Sequence, residues 1–128
     1  SGSSGSSGLS GSDGANSGRW TLDYNDNTPN SGYWWIDQDI DPFLHHINIS
    51  TTANTSIDYY QWLKELQIFV DADNRPFLQV SQLDDSGNQV IFVVENALDL
   101  TTYFAFTATS VVSGFTLTDN TDFSTNLL

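Results

Sequence analysis

Residues 102–112, TYFAFTATSVV, carry the clearest structural pattern in this chain. They fall alternately on two faces of an extended backbone, with Phe104, Phe106 and Ala108 on one face and Tyr103, Ala105 and Thr107 on the other. Successive side chains of a β-strand point to opposite faces of its sheet, so a two-residue period predicts a strand with one buried face. This stretch therefore predicts a β fold.

Other segments of similar character lie on both sides of this stretch. Turn-forming sequences separate them, for example NDNTPNSG at 25–32 and DDSGN at 84–88. The predicted strands cover residues 19–24, 33–36, 43–50, 67–72, 76–83, 89–95 and 115–118. Seven or eight short strands predict a mostly β domain, either a small antiparallel β-sandwich or a barrel-like domain.

One short α-helix is predicted at residues 57–66. Thr55 and Asp58 have the three-residue spacing of a capping box, in which two side chains bond to backbone N–H groups at the start of a helix. The apolar face would contain Tyr59, Tyr60, Trp62, Leu63 and Leu66, and the solvent face Gln61, Lys64 and Glu65. Because ten residues are too few for a helix to be stable alone, we expect it to pack on the sheet.

The chain begins with a glycine at every third position. These glycines are Gly2, Gly5, Gly8, Gly11 and Gly14. Only glycine fits at the axis of a collagen triple helix, so a Gly-X-Y period predicts that three chains meet. Two interpretations of residues 1–18 stay open: the end of a collagen-like stalk, or a flexible Gly/Ser linker. In both interpretations, residues 19–128 form the β-rich head domain.

Charge and composition exclude several classes of protein. Three basic residues against sixteen acidic ones give a net charge of −13, which repels nucleic-acid phosphates and anionic membrane surfaces. The chain has no cysteine, so neither disulfides nor thiolate metal sites stabilise it. No apolar run approaches the roughly 20 residues that span a bilayer. We therefore expect an acidic, soluble module that neither binds nucleic acid nor inserts into a membrane.

Two groups of side chains are candidate metal ligands. Asp37, Asp39 and Asp41 alternate, so an extended backbone would place three carboxylates on one face, as a Ca²⁺ ion requires. The alternative is a solvated acidic loop. His45 and His46 are adjacent and would point to opposite faces of a strand, so one chain cannot bring both to one ion. One of them would bind a metal on a three-fold axis, or both are packed or surface histidines. No cofactor is required, and Ca²⁺ is the candidate ion.

Aromatic residues near the start of the head are the candidates for recognition. Trp34 and Trp35 are neighbours and cannot both point inward on one strand, so one must face a ligand, another subunit or solvent. With Trp20 and Tyr33, they would form either a trimer interface, where aromatic residues are enriched, or a platform on which sugars stack.

Catalytic residues are not predicted. Neither histidine lies in a serine or cysteine nucleophile motif. Glu65 and Glu95 are the carboxylates that a glycosidase would pair, but Glu65 belongs to the polar face of the predicted helix. We therefore expect a protein that is not an enzyme.

The order of these elements resembles a module of tailed-bacteriophage fibre and virion structural proteins. The stretches that carry the resemblance follow the Gly-X-Y run: GRWTLDY, SGYWWID, INIS, IDYYQWLKEL, IFVDADN, FLQVSQL and YFAFTATSVVSGFTLTDNTDFS. The resemblance implies a trimeric fibre domain exposed on a virion, with other fibre or baseplate proteins as partners. It implies no catalytic or binding residues.

Three functions agree with these observations. The first is a non-enzymatic homotrimeric module for assembly and surface display in a phage fibre or virion appendage. The second is a receptor- or carbohydrate-binding tip that contacts host surface glycans through the loops at 25–32 and 37–42 and the nearby tryptophans. The third is an acidic extracellular filament protein of a bacterium. All three predict a virion or extracellular location.

Overall fold

A computed structural model describes residues 17–37, 44–110 and 119–127. These residues form seven strands and one helix: β1 (Ser17–Leu22), β2 (Tyr33–Ile36), β3 (Leu44–Ser50), α1 (Tyr60–Asp71), β4 (Phe77–Gln82), β5 (Asp85–Asp99), β6 (Tyr103–Ser110) and β7 (Asp122–Leu127). The strands close into a barrel in the order β1-β2-β3-β6-β5-β4-β7. The predicted mostly β domain with one short helix is confirmed, and of the two predicted architectures the chain adopts the barrel.

One pair of neighbouring strands departs from the predicted antiparallel arrangement. β1 and β2 are parallel over two residue pairs, whereas every other pairing is antiparallel. The loop at 23–32 makes this possible because it runs across the outer surface of β2 and β3. The indole N–H of Trp35 donates to the carbonyl of Tyr24 at 3.2 Å, and Nδ2 of Asn48 donates to the carbonyl of Asn27 at 2.6 Å.

The barrel interior is filled by the inward-facing side chains of its strands. Phe104, Phe106 and Ala108 of β6 are buried, as the alternation of residues 102–112 predicts. The other strands contribute Trp20, Leu22, Trp34, Ile36, Ile47, Ile49, Leu78, Val80, Val90, Phe92, Val94 and Phe123, all of them buried. Each large apolar side chain that leaves water contributes about 1.5–3 kcal/mol, so this interior dominates the stability of the domain.

The helix begins and ends later than predicted. It spans Tyr60–Asp71, and its first residue is preceded by Tyr59 rather than capped by Thr55. Asp58 satisfies one terminal donor, because its carboxylate accepts the backbone N–H of Tyr60 at 2.8 Å. The capping-box prediction is therefore wrong, since the chain at residues 52–58 is held in a turn by a bridge between Thr52 and Asp58.

The strand predicted at residues 67–72 is wrong, because residues 67–71 form the end of α1 and Ala72 follows as its C-cap. Leu63 and Leu66 are fully buried and Val70 is partly buried, which is the three-to-four residue spacing of a helix. Ile68 and Phe69 are exposed on its other face. A run of three apolar residues does not by itself distinguish a strand from a buried helix segment.

The C-terminal strand was not predicted. β7 lies in a stretch rich in Asp and Asn, yet it pairs with β1 on one side and β4 on the other. Its residues Phe123 and Thr125 are buried. β5 is also longer than predicted and contains an irregularity in register between Val94 and Asn96. The strand predicted at 115–118 and residues 1–16 of the predicted leader lie outside the described residues. Ser17 and Gly18, predicted as the end of the leader, belong to β1 instead, because both pair with β7.

Aromatic contacts join α1 to the barrel core. Tyr59 and Trp62 pack against Trp20, with ring centroids 5.4 and 6.3 Å from its indole. Tyr60 packs on Phe104, with centroids 5.5 Å apart. The helix thus adds its apolar face to the barrel interior, as expected of a helix too short to be stable alone.

A polar cluster also attaches α1 to the end of β5. The Tyr60 hydroxyl donates to Oδ2 of Asp99 at 2.5 Å, and Nζ of Lys64 lies 3.3 Å from the same oxygen. The backbone N–H of Thr101 donates to the other carboxylate oxygen at 2.8 Å. The Tyr60 bond, followed by those of Thr101 and Lys64, lowers the pKa of Asp99. The same bond raises the pKa of Tyr60.

The two fully buried tryptophans of the barrel allow one hydrogen bond to be isolated. Nε1 of Trp20 donates to the carbonyl of Ser50 at 2.9 Å, whereas Nε1 of Trp34 has no partner among the described residues. Both Trp→Phe substitutions remove similar volume. We expect Trp20→Phe to lower the free energy of unfolding by about 1 kcal/mol more than Trp34→Phe, measured by denaturant unfolding. Equal losses of unfolding free energy in the two variants would show that the hydrogen bond of Trp20 contributes nothing to stability.

The Tyr60–Asp99 bond predicts a specific pH dependence of stability. Because the pKa of Asp99 is lowered by folding, its contribution is present above its unfolded pKa of about 3.9 and is lost as pH falls through the folded value. Because the pKa of Tyr60 is raised, its contribution is present below the unfolded pKa of about 10 and is lost as pH rises through the folded value.

We therefore expect Tyr60→Phe to reduce the melting temperature most between these two limits, with the difference from the native chain shrinking at both acidic and alkaline pH. Tyr33→Phe, at an exposed tyrosine, is the matched control. A Tyr60→Phe effect that is constant with pH would contradict the prediction.

Candidate functional site

A surface cleft lies between the loop at 28–31 and the end of β3. Its volume is about 450 Å³. It is lined by Thr28, Pro29, Asn30, Ser31, Ser50, Thr51, Thr52 and Thr102, and we call it the hydroxyl cleft. Six of its eight lining side chains carry a hydroxyl group.

Asp26 organises the loop wall of the hydroxyl cleft. Its Oδ1 accepts the backbone N–H of Thr28 at 3.0 Å and the Thr28 hydroxyl at 2.9 Å, and its Oδ2 accepts Nδ2 of Asn30 at 3.4 Å. Aspartate commonly bonds to the chain two residues ahead in turns, which explains its place here. Gly32 then turns the chain into β2 with a φ of +91°, a conformation that glycine adopts without strain.

The opposite wall is positioned by bonds between two segments distant in sequence. The hydroxyl of Thr51 donates to the carbonyl of Thr102 at 3.2 Å, and the backbone N–H of Thr51 donates to the same carbonyl at 3.0 Å. Oγ of Ser50 accepts the backbone N–H of Thr52 at 3.2 Å. These bonds fix the hydroxyl groups of Ser50 and Thr51 in place, and each of these two oxygens retains capacity to accept a further bond.

A second cleft, of about 230 Å³, lies on the other side of Gly32. It is lined by Thr21, Ser31, Gly32, Tyr33, Ala53, Asn54 and Ser56. Tyr33 is exposed and contributes the aromatic ring of this region. In a chain of net charge −13, neither cleft is lined by a charged side chain among the described residues. The region suits an uncharged ligand that is rich in hydroxyl groups.

The tryptophans predicted for recognition are placed differently from that prediction. Trp20 and Trp34 are fully buried in the interior of a single chain, so their assignment to a ligand or trimer interface is wrong. The alternation of β1 and β2 directs them inward beside Leu22 and Ile36. Trp35 points outward, as predicted for one of the two neighbours, but it is half-buried under the loop at 23–32.

The candidate metal ligands are only partly brought together. Nδ1 of His45 lies 3.6 Å from Oδ1 of Asp37. His46 is exposed on the outer face of β3, so the two histidines do point in opposite directions as predicted. Asp39 and Asp41 lie outside the described residues. Within the residues that the structure describes, no three His, Cys, Asp or Glu side chains group around one point.

The two carboxylates considered for catalysis have separate environments. Glu65 is exposed on α1, and Glu95 accepts a hydrogen bond from the Thr109 hydroxyl on the outer face of the barrel. Neither lines the hydroxyl cleft or the second cleft.

Comparison of the chain with protein-family models, with curated proteins and with solved structures finds no match. The resemblance to phage fibre modules therefore stays a prediction. In the described part of the chain, no helix combines the length and the apolar character that crossing a bilayer requires.

The hydroxyl cleft was only half predicted by the sequence. The loop at 25–32 is evident from its turn-forming residues, and it was proposed for binding. Ser50, Thr51, Thr52 and Thr102 give no local signal, because nothing in either segment indicates that the end of β3 meets the turn before β6. Only the β3–β6 pairing, in which Ser50 lies opposite Tyr103, brings them together.

Proposed function

We propose that this chain is a non-enzymatic head domain for assembly and display, joined in threes by the Gly-X-Y leader and exposed on a virion fibre or similar extracellular appendage. The virion context rests on the resemblance in the order of sequence elements. The observation that carries the self-association is a row of four outward-facing uncharged side chains, three of them apolar, across four strands of the barrel.

This outer row consists of Leu44, Thr109, Val93 and Phe77. Leu44 is paired with Thr109, Thr109 with Val93, and Val93 with Phe77, on β3, β6, β5 and β4. Leu44 and Phe77, at its two ends, are 41% and 46% exposed. Paired side chains on one face of a sheet lie about 4.5–5.5 Å apart, so the row forms a continuous strip.

The outer row suits a contact with another copy of the chain. Charged residues are depleted at the centres of interfaces, and all four side chains of the row are uncharged. The neighbouring Glu95 is already bonded to the Thr109 hydroxyl, which reduces the cost of covering its carboxylate.

Tethering of the three chains by their leaders explains how a contact surface as small as the outer row would be sufficient for the heads to associate. A leader that joins three chains just before β1 makes contact between heads intramolecular, with an effective concentration of about millimolar for a short linker. The net charge of −13 per chain opposes association, and the tether offsets that repulsion.

We expect the chain with its leader to have a mass in solution near three times the 14.1 kDa of one chain, measured by light scattering after gel filtration. Phe77→Ser should raise the concentration at which half of the trimer dissociates by about tenfold or more, because it removes an aromatic anchor.

Ile57→Ser is the matched control, since Ile57 is similarly exposed but lies in the turn before α1. A monomeric native chain would contradict the trimer. Equal effects of Phe77→Ser and Ile57→Ser would contradict the outer row as its interface.

A second candidate function is attachment to a neutral glycan, and the composition of the hydroxyl cleft favours it. Sugars offer hydroxyl groups that both donate and accept hydrogen bonds, and the cleft supplies hydroxyl and amide groups in fixed positions. The exposed ring of Tyr33 in the adjoining cleft supplies an apolar surface for a sugar face.

On an array of glycans we expect binding to uncharged structures. Asn30→Ala and Thr52→Val should each weaken that binding by about two- to tenfold, the effect of one neutral hydrogen bond. Thr107→Val, on β6 away from the cleft, is the control and should leave binding unchanged. Binding confined to acidic glycans, or unchanged by Asn30→Ala and Thr52→Val, would contradict this candidate.

A further inference from the structure

A carboxylate and an imidazole face each other where β2 ends and β3 begins. Asp37 directly follows β2, and its backbone N–H donates to the carbonyl of His46 at 3.1 Å, which extends the β2–β3 pairing by one residue. His45 points inward, and its ring lies edge-on to Phe92 with centroids 5.5 Å apart. Only 9% of the Asp37 side chain and 14% of the His45 side chain are exposed.

The Asp37 carboxylate is poorly satisfied in this position. Its Oδ2 is buried and has no hydrogen-bond partner among the described residues. Its Oδ1 is 3.6 Å from Nδ1 of His45, which is too long for a hydrogen bond. A buried carboxylate without donors is costly, so a cation in this gap would relieve a cost that the fold already carries.

The separation of the two groups agrees with joint binding of one metal ion. Zn²⁺ binds imidazole nitrogen and carboxylate oxygen at about 2.0–2.2 Å, so two such ligands in a tetrahedral arrangement lie roughly 3.4 Å apart. The observed 3.6 Å differs from this by a few tenths of an ångström. We propose that Asp37 and His45 together bind a divalent transition-metal ion of the Zn²⁺ type.

The ligand set determines the class of ion and the character of the site. An imidazole ligand suits Zn²⁺ and its neighbours, whereas Ca²⁺ takes six to eight oxygen ligands. No third His, Cys, Asp or Glu joins the pair among the described residues, so these residues supply two protein ligands to the ion. Two protein ligands bind a metal ion more weakly than the four of a structural zinc site. The net charge of −13 favours cation binding at this position.

The adjacent histidine supplies a matched control for this proposal. His46 is the next residue after His45, and its side chain is exposed on the outer face of β3. His45→Gln removes the proposed ligand, while His46→Gln removes an exposed imidazole that forms no ion pair with Asp37. Asp37→Asn replaces the carboxylate by a neutral amide of nearly the same shape and serves as the second variant if His45→Gln folds poorly.

The experiment is isothermal titration of the chelator-treated full chain with Zn²⁺ at neutral pH, together with melting curves with and without the metal. We expect one Zn²⁺ per chain and a higher melting temperature in its presence. His45→Gln and Asp37→Asn should each weaken Zn²⁺ binding by about tenfold or more, and His46→Gln by less than about twofold.

The metal-free melting temperature separates metal binding from a purely structural role. Asp37→Asn should leave it unchanged or raise it, because the substitution removes a buried charge that lacks full pairing. A lowered metal-free melting temperature with unchanged Zn²⁺ affinity would overturn the proposal and leave Asp37 a structural residue. So would a loss of affinity in His46→Gln equal to that in His45→Gln, or the absence of saturable Zn²⁺ binding to the native chain. None of these outcomes depends on the trimer or on glycan binding.

Discussion

β7 closes the barrel, and the packing of the whole interior follows from that closure. β7 pairs with β1 on one side and with β4 on the other, so both ends of the described chain belong to one sheet. A closed sheet leaves no strand edge to pair with other chains, and it makes the inward side chains of all strands share one interior. Phe123 of β7 lies edge-on to Trp34 of β2, with ring centroids 5.3 Å apart. Without β7, Trp34 would lose this contact and the sheet would be open between β1 and β4.

A filled interior leaves the outer face and the ends of the barrel for recognition. The hydroxyl cleft, the outer row and the Asp37–His45 pair all lie there, in three different chemical settings. The first is uncharged and polar, the second is apolar, and the third contains a buried carboxylate. We propose a different partner for each setting, namely a neutral glycan, another copy of the chain and a transition-metal ion. The net charge of −13 makes contact with the phosphates of nucleic acid or of anionic membranes electrostatically unfavourable.

Local sequence patterns predicted most strands, but they failed where contacts with residues distant in the chain determine the secondary structure. The alternation at 102–112 predicted the buried face of β6 correctly, because a two-residue period is a property of the strand alone. The apolar run within residues 67–72 is too short to show either a two-residue or a helical period. Leu66 and Val70 pack against the core, and this packing favours the helix there. β7 was missed because its composition is polar, and its pairing with two strands outweighs that composition.

The class of fold, the existence of one helix and the inward direction of the alternating residues follow from local patterns, since they depend on periodicity and turn chemistry along the chain. The sequence also determined the net charge of −13 and the partners that this charge repels. The tertiary structure alone decided that the sheet closes, that Trp20 and Trp34 are core residues, and that Thr51 meets Thr102. These are contacts between residues far apart in the chain, and no local pattern specifies which distant strands become neighbours.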